Sequence, residues 1–187
     1  MKGIVHICAA GMALLLCPAS AEAAGITYDC DTAADHFSEL DLPAGGTPFV
    51  VSGTLQLNAL AASTTYVPIA RVQIASAAAP GEPAKAYAGF SLSALPVDPR
   101  KTPSGASAIQ TLSYNVSGKD DELLPFSIMT KPGTAQPFTM SYDGSRVSVS
   151  LGAETRSIPL KAADPVVKIV CSTGEFLFTD LAITASR

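Results

Sequence analysis

The sequence PFTMSYDGSRVSVSLGAETRSIPLKAADPVVKIVCSTGEFLFTDLAITAS, residues 137–186, has the alternation and the turns of an antiparallel β-meander. Apolar and polar residues alternate on both sides of Asp143-Gly144, which predicts a hairpin whose type I′ turn has these two residues at its centre. The apolar run at 166–171 is typical of a strand that is buried on both faces. The meander therefore predicts that this half of the chain is β-structure.

The final strand of this stretch contains an irregularity. Its apolar residues occupy one phase up to Phe178 and the other phase from Leu181 onwards. A shift of one residue in the alternation is typical of a β-bulge. We therefore expect a bulge near Thr179-Asp180.

Outward from this stretch, similar runs continue towards the N-terminus. Together they give about ten or eleven predicted strands, at the spacing of an antiparallel sandwich or barrel. Segments rich in proline and glycine at 77–84 and 95–107 are typical of loops. Beyond the N-terminal segment no sustained helical period occurs. The sequence predicts an all-β protein, an antiparallel two-sheet sandwich, that forms a single domain of residues 24–187.

The N-terminal segment indicates export. Lys2 precedes an apolar run of signal-peptide length, and residues 21–23 form an A-x-A cleavage site, so residues 1–23 are predicted to be a signal peptide. The alternative is a lipoprotein with Cys17 as the lipidated residue. Lipoprotein signals have a small residue directly before this cysteine, whereas this sequence has a leucine there. No later apolar run is long enough to span a bilayer. We expect a secreted or periplasmic protein.

The charge of the chain argues against two classes of partner. The sequence has 12 Lys and Arg against 16 Asp and Glu, a net charge of −4, and the predicted signal peptide removes one residue of each sign. A mildly acidic chain without a basic run offers no electrostatic attraction for nucleic acid or for anionic lipid. We therefore expect neither nucleic acid nor a membrane as a partner.

Two cysteines remain after the predicted cleavage, Cys30 and Cys171. An isolated pair of cysteines in an oxidising compartment is usually bonded, which predicts a disulfide between them. Such a bond requires the first and last segments of the domain to lie side by side, as in a closed sandwich of two sheets.

The order of the turns, the Tyr142-Asp143-Gly144 hairpin and the ending Cys-Ser-Thr-Gly followed by Phe-Thr-Asp-Leu at 178–181 resemble the concanavalin A-like jelly rolls of legume lectins, laminin G modules and related glucanases. The resemblance covers most of the mature chain as a pattern. It implies a jelly roll whose chain ends pair in one sheet. By fold analogy it also implies carbohydrate as the leading class of ligand.

The sequence offers little support for catalysis or for a metal site. The pattern Glu-x-Asp-x-x-Glu of the related glucanases is absent, and His36 is the only histidine after the predicted signal peptide. A catalytic triad with His36 would lack a Gly-x-Ser-x-Gly elbow, and the EF-hand spacing for calcium is absent. We expect no cofactor and no metal. An enzyme would need carboxylates from separate strands, such as Glu39 or Asp41 with Asp180, about 5 to 9 Å apart.

The aromatic residues suggest where a sugar could bind. The chain has no tryptophan, so tyrosine rings are the available platforms. Tyr87 is the strongest candidate because it is out of phase with the core-facing Phe90 and lies near Gly89, where the missing side chain would leave space for a ligand. We therefore predict that Tyr87 and Gly89 bind the ligand.

The first functional interpretation is a non-enzymatic binding protein that recognises carbohydrate. A glycan hydrolase is the second. The third is a structural envelope protein that pairs with a protein partner through a sheet edge, which would need a long exposed edge strand without charges or proline. Asp29 and Asp31, which flank Cys30, are interpreted as charges that protect such an edge from pairing.

Overall fold

The computed structural model describes residues 25–61, 63, 65–78, 84–95, 108–116, 122–127 and 131–186. The predicted signal peptide and the alternative lipidation at Cys17 lie outside these residues. The described part confirms the all-β prediction, since its regular elements are β1 (Ile26–Pro43), β2 (Phe49–Leu60), β3 (Ile69–Ser76), β4 (Tyr87–Leu95), β5 (Ala108–Val116), β6 (Leu123–Pro125), β7 (Ala135–Tyr142), β8 (Arg146–Leu151), β9 (Glu154–Pro159) and β10 (Pro165–Ala185). Among the described residues, no helix is long and apolar enough to cross a membrane.

The strands pair in the order β6-β5-β4-β3-β10-β2-β7-β8-β9, and β1 pairs with β10. Each of the two long strands, β1 and β10, takes part in both layers of the sandwich. Residues 165–172 of β10 pair with β3, and residues 174–185 pair with β2. β1 follows both halves of β10, with residues 37–43 beside the first half and residues 26–32 beside the second. We call the half that contains β3, β4, β5 and β6 layer A, and the half that contains β2, β7, β8 and β9 layer B.

The long strands pass from one layer to the other near Thr173 and Asp35. Both residues have positive φ, 58° and 63°, and the pairing of β1 with β10 shifts register between Thr32 and Phe37. The buried hydroxyl of Thr32 donates to the carbonyl of Gly174 at 2.8 Å and accepts from its amide at 3.2 Å. These two bonds join β1 to β10 directly beside the shift in register.

The two layers pack face to face through one apolar core. β4 lies opposite β8 and β5 lies opposite β9. The rings of Phe90 on β4 and Phe138 on β7 meet across the layers with centroids 5.1 Å apart. Alternate residues of the strands supply this core, which is why the period-two patterns of the sequence predicted them correctly.

The disulfide between Cys30 and Cys171 is present, which confirms the predicted pairing. Cys30 lies in layer B, where it is opposite Phe176, and Cys171 lies in layer A, where it is opposite Ser38. The two Cα atoms are 6.5 Å apart and both side chains are buried. The bond therefore links the layers through the core, and it fits a protein that folds in an oxidising compartment.

The hairpin between β7 and β8 is confirmed, but the type of its turn is a correction. Tyr142 pairs with Val147, and the amide of Asp143 donates to the carbonyl of Arg146, so the two central residues are Gly144 and Ser145. Of these only Gly144 has positive φ, 100°, as in a type II′ turn. The predicted type I′ turn centred on Asp143-Gly144 is therefore wrong in its type, and its centre is misplaced by one residue.

The side chain of Asp143 explains the shift. Its Oδ1 accepts from the amide of Ser145 at 2.7 Å, from the amide of Arg146 at 2.8 Å and from the hydroxyl of Ser145 at 2.9 Å. Such bonds form an Asx-turn that fixes the aspartate at the start of the turn. They also lower the pKa of the Asp143 carboxyl, because they stabilise its charged form.

Gly144→Val is expected to destabilise the protein by about 1 to 3 kcal/mol, because a β-branched residue is strained at positive φ. A matched control is Ser150→Val, a β8 position where a β-branched residue suits the extended backbone. The midpoint of urea unfolding measures both. Equal losses in the two variants would contradict the turn assigned here.

The predicted bulge is also confirmed. The pairing of β10 with β2 shifts between Thr179 and Ala182, and Asp180 has a φ of 54°. The bulge reconciles the two phases of apolar residues, so that Phe178 and Leu181 are both buried.

Candidate functional site

The face of layer A that points away from the core, called the outer face here, carries a set of polar side chains in register. Two rows cross the strands β1, β10, β3 and β4. One row contains Glu39, Val170, Arg71 and Ser91. The second row, which continues onto β5, contains Asp41, Lys168, Gln73, Gly89 and Tyr114.

A groove of about 280 Å³ lies over β3, β4, β5 and β6 on this face. Its walls combine aromatic, apolar, hydroxyl and cationic groups, supplied by Ile69, Arg71, Tyr87, Ser91, Ser93, Tyr114, Val116 and Leu123. A concave site with an apolar lining and a few polar groups is the usual form of a small-ligand site. Tyr87, predicted from the sequence as a ligand-binding residue, is part of this lining.

Tyr114 forms the floor of the groove. It is only 7% exposed, yet it belongs to the outer face and not to the core between the layers. Its hydroxyl donates to Oε1 of Gln73 at 2.7 Å. Burial raises the pKa of Tyr114, and the charge of Arg71 opposes this only in part. The phenol of Tyr114 is therefore neutral, and its hydroxyl proton is hydrogen-bonded to Gln73.

The ring of Tyr87 meets Tyr114 edge-on, with centroids 6.0 Å apart and planes at 75°. Tyr87 is half-buried, whereas Tyr114 is buried. This arrangement fixes the orientation of the Tyr87 ring and leaves part of it in contact with solvent, as a stacking platform requires.

Arg71 places a positive charge in the groove. Its Cζ lies 5.9 Å from the centroid of the Tyr114 ring, within the range of a cation–π contact. The side chain is half-buried. Within the described part of the chain no carboxylate forms an ion pair with Arg71. Its guanidinium can therefore accept an anion as a partner.

Lys168, on the neighbouring strand β10, differs from Arg71 because it forms ion pairs. Its Nζ lies 2.5 Å from Oε1 of Glu39 and 3.4 Å from Oδ1 of Asp41. Although partial burial lowers it, the pKa of Lys168 is raised overall by the hydrogen bond to Glu39 and by the charge of Asp41. The two carboxylates therefore satisfy Lys168, whereas Arg71 lines the groove without such a partner among the described residues.

Gly89 lies beside the groove but has a different role from the expected one. It is buried, opposite Gln73 on one side and Tyr114 on the other, and it does not line the groove. A Cβ atom at this position would lie 2.0 Å from the carbonyl oxygen of Val72, which is an impossible contact. The glycine therefore lets the β3 backbone approach closely, and this replaces the expected reason, open space for a ligand.

The carboxylates proposed for a hydrolase are not brought together. Glu39 and Asp41 bind Lys168 on layer A. Asp180 lies in layer B, where its backbone packs against Gly25. His36 is exposed, and its Nδ1 is 2.8 Å from the carbonyl oxygen of Ala34. The described residues contain no group of three or more acidic, histidine or cysteine side chains that could hold a metal ion.

The sheet edges disfavour pairing with a partner strand. β1 lies at the edge of both layers and exposes five carboxylates, those of Asp29, Asp31, Asp35, Glu39 and Asp41. β9 carries Glu154 and Arg156, and β6 has only three residues. Charged or very short edges hinder edge-to-edge association. The long uncharged edge that the envelope interpretation requires does not occur among these strands.

Sequence reasoning proposed Tyr87 but did not combine it with Arg71, Gln73 and Tyr114 in one candidate site. A signal existed, because Arg71 and Gln73 alternate with the core residues of β3 and therefore face outwards. Which strands flank them, and whether their face is covered, is not visible in the alternation itself.

No protein-family model matches the sequence, and no curated protein matches it significantly. Several solved structures share its fold. A polysaccharide lyase of family 18, aly-SJ02, has a TM-score of 0.55 at 9% identity over 88% of this chain and 89% of that chain. The alginate lyase from Alteromonas sp. 272 has a TM-score of 0.54 at 10% identity over 84% and 86%.

A third similar structure is the carbohydrate-binding module CBM66 from Bacillus subtilis. Its TM-score is 0.52 at 6% identity, over 87% of this chain and 97% of the module. At these identities the likeness concerns the fold. It confirms the jelly-roll sandwich that the sequence resemblance implied.

Proposed function

We propose that this protein is an exported, non-enzymatic carbohydrate-binding protein that holds an acidic sugar in the groove on the outer face of layer A. The observation that carries the proposal is the guanidinium of Arg71, which lies in the groove over the Tyr114 ring and has no carboxylate partner among the described residues. A half-buried cation in an otherwise neutral groove favours an anionic ligand.

The groups around Arg71 suit a sugar that carries a carboxylate. The guanidinium presents a planar fork that can bind both oxygens of a carboxylate. The partly exposed ring of Tyr87 can stack on the apolar face of a neighbouring sugar of the same chain, and the hydroxyls of Ser91 and Ser93 can bond to sugar hydroxyls.

The similar structures support this class of ligand. Two of them are a polysaccharide lyase and an alginate lyase, and a third is a carbohydrate-binding module. Alginate is a polymer of sugar acids, and a guanidinium such as that of Arg71 can bind a sugar carboxylate. The fold is therefore compatible with the proposed ligand, although a shared fold does not by itself define a function.

The chemistry of the groove favours binding over catalysis. Removing a proton from a sugar acid requires a general base in reach of it. Tyr114 is poorly suited to this role, because burial raises its pKa and its proton is already donated to Gln73. The carboxylates suggested for hydrolysis are also separated, since Asp180 and Glu39 lie in different layers.

Binding of purified residues 24–187 to a panel of acidic and neutral polysaccharides, with and without calcium, tests the proposal. We expect saturable binding to acidic polymers, and a roughly 2- to 12-fold loss in Tyr87→Ala, the value of an aromatic contact of about 0.5 to 1.5 kcal/mol. Tyr87→Phe, which keeps the ring, should retain most of the affinity. Binding that is unaffected by Tyr87→Ala would place the ligand elsewhere. Release of unsaturated sugars during the assay would show an enzyme.

A further inference from the structure

Three apolar side chains are exposed together near one end of the outer face. Phe37 is 74% exposed, Tyr66 58% and Val67 42%. We call these three residues, two of which are aromatic, the aromatic platform. Large apolar side chains that are exposed as a group commonly mark a binding surface.

Phe37 belongs to the same face as the groove. It shares the phase of Glu39 and Asp41, whose carboxylates contact Lys168 on the outer face. In register, Phe37 is opposite Ser172 of β10, and Ser172 is in turn opposite Ile69 of β3. Because Ile69 lines the groove, Phe37 lies in the same cross-strand row as one end of the groove.

Hydrogen bonds hold Tyr66 at this same end. The hydroxyl of Ser63 donates to Oδ1 of Asp35 at 2.5 Å and accepts from the amides of Thr65 and Tyr66, both at 3.0 Å. This attaches the segment that carries Tyr66 to β1 two residues before Phe37. Tyr66 is also three residues before Ile69 in the chain.

The strand geometry gives the separation between the platform and Arg71. Phe37 is two strands away from Ile69, and Arg71 is two residues further along β3. With strands about 4.8 Å apart and a rise of about 3.3 Å per residue, the backbones of Phe37 and Arg71 are roughly 12 Å apart. A single sugar ring cannot span this distance, whereas a short chain of sugars can.

We infer that the aromatic platform is an outer subsite of the groove, at which a polysaccharide chain held by Arg71 continues past Ile69 and stacks on Phe37 and Tyr66. This inference rests on the proposed function. It makes the preferred ligand an extended stretch of polysaccharide and not a single sugar.

The charges near the platform determine how it contacts the chain. Asp35 precedes Phe37 by two residues and Glu39 follows it by two. Lys168 forms ion pairs with Glu39 and Asp41, so its one positive charge faces two carboxylates and does not offset the charge of Asp35. A sugar carboxylate is therefore disfavoured at the platform, and contact is made through the apolar faces of the rings. The affinity that the platform adds should consequently not fall as the salt concentration rises, unlike the affinity that Arg71 provides.

Calorimetric titration with acidic oligosaccharides of increasing length, at low and high salt, tests the platform. We expect hexasaccharides to bind more tightly than disaccharides, and Phe37→Ala to weaken hexasaccharide binding roughly 2- to 12-fold, the value of an aromatic contact of about 0.5 to 1.5 kcal/mol, while disaccharide binding is unchanged. Ile26→Ala is the matched control, because Ile26 is an exposed apolar residue of the same strand in layer B. It should change neither affinity.

The outcomes separate the platform from the groove. Equal binding of long and short oligosaccharides, or unchanged hexasaccharide binding in Phe37→Ala, would overturn the platform and leave the groove intact. A length-dependent gain that disappears at high salt would also contradict stacking. If no acidic oligosaccharide of any length binds, the proposed function and the platform both fail.

Discussion

Replacing Cys171 with serine is expected to lower the free energy of unfolding by about 5 kcal/mol, the value that chain entropy gives for a loop closed over 141 residues. The bond limits the unfolded chain by tying its two ends together. It also links the layers in the folded state, since Cys30 and Cys171 belong to opposite sides of the bend in β1 and β10. Engineered disulfides commonly deliver less than this value.

Urea unfolding with and without reductant measures the effect. Without reductant, Cys30→Ser, Cys171→Ser and the double variant should show similar losses, because each removes the same bond. Most of the difference from the wild-type protein should vanish when reductant opens its disulfide. Equal stability of wild type and Cys171→Ser in the absence of reductant would contradict a stabilising bond.

Arg71→Met is expected to reduce the affinity for acidic saccharides about 10- to 150-fold, because a hydrogen bond to a charged group contributes about 1.5 to 3 kcal/mol. Methionine keeps an unbranched apolar stem against the Tyr114 ring and removes only the charged fork. Binding of neutral saccharides should change little. The remaining affinity of Arg71→Met for acidic saccharides should also lose most of its dependence on salt.

Arg146→Met is the matched control for this measurement. Arg146 is exposed on β8 of layer B, where its guanidinium donates to the hydroxyl and the carbonyl of Ser157. The substitution removes the same charge from the protein at a distance from the groove. If Arg146→Met and Arg71→Met weaken acidic binding equally, only net charge matters, and the groove is not the site.

Much of the fold could be predicted from the sequence, because the deciding signals are local. Alternation identified the strands, and the change of phase between Phe178 and Leu181 identified the bulge at Asp180. The disulfide followed from the number of cysteines and the predicted compartment. The turn between β7 and β8 was misplaced by one residue because the side chain of Asp143 competes for the turn amides, which the pair Asp-Gly does not reveal.

The architecture of the two layers could not be predicted in the same way. β10 inserts between β3 and β2, which are far from it in the sequence, and each of its halves serves a different layer. Thr173 and Asp35 adopt positive φ at the bend although neither is a glycine, so the sequence does not mark the position of the bend. The pairing of the chain ends was expected from the disulfide and from the resemblance to the concanavalin A-like jelly rolls, not from the alternation of the strands.

The candidate site shows the same division. The outward phase of Tyr87 was visible in β4, because its neighbours in the opposite phase are apolar. The combination with Arg71 and Tyr114 depends on the register of three strands. Gly89 was singled out because its missing side chain would leave space for a ligand, whereas the structure fills that space with the carbonyl oxygen of Val72 on the next strand.

An NMR titration that follows the backbone amides while an acidic oligosaccharide is added would locate the binding face directly. The groove predicts saturable shifts at Arg71, Ser91 and Tyr114, with longer oligosaccharides extending the shifts to Phe37. Shifts confined to β7, β8 and β9 in layer B, with the amides of β3 and β4 unchanged, would contradict a binding site on the outer face of layer A.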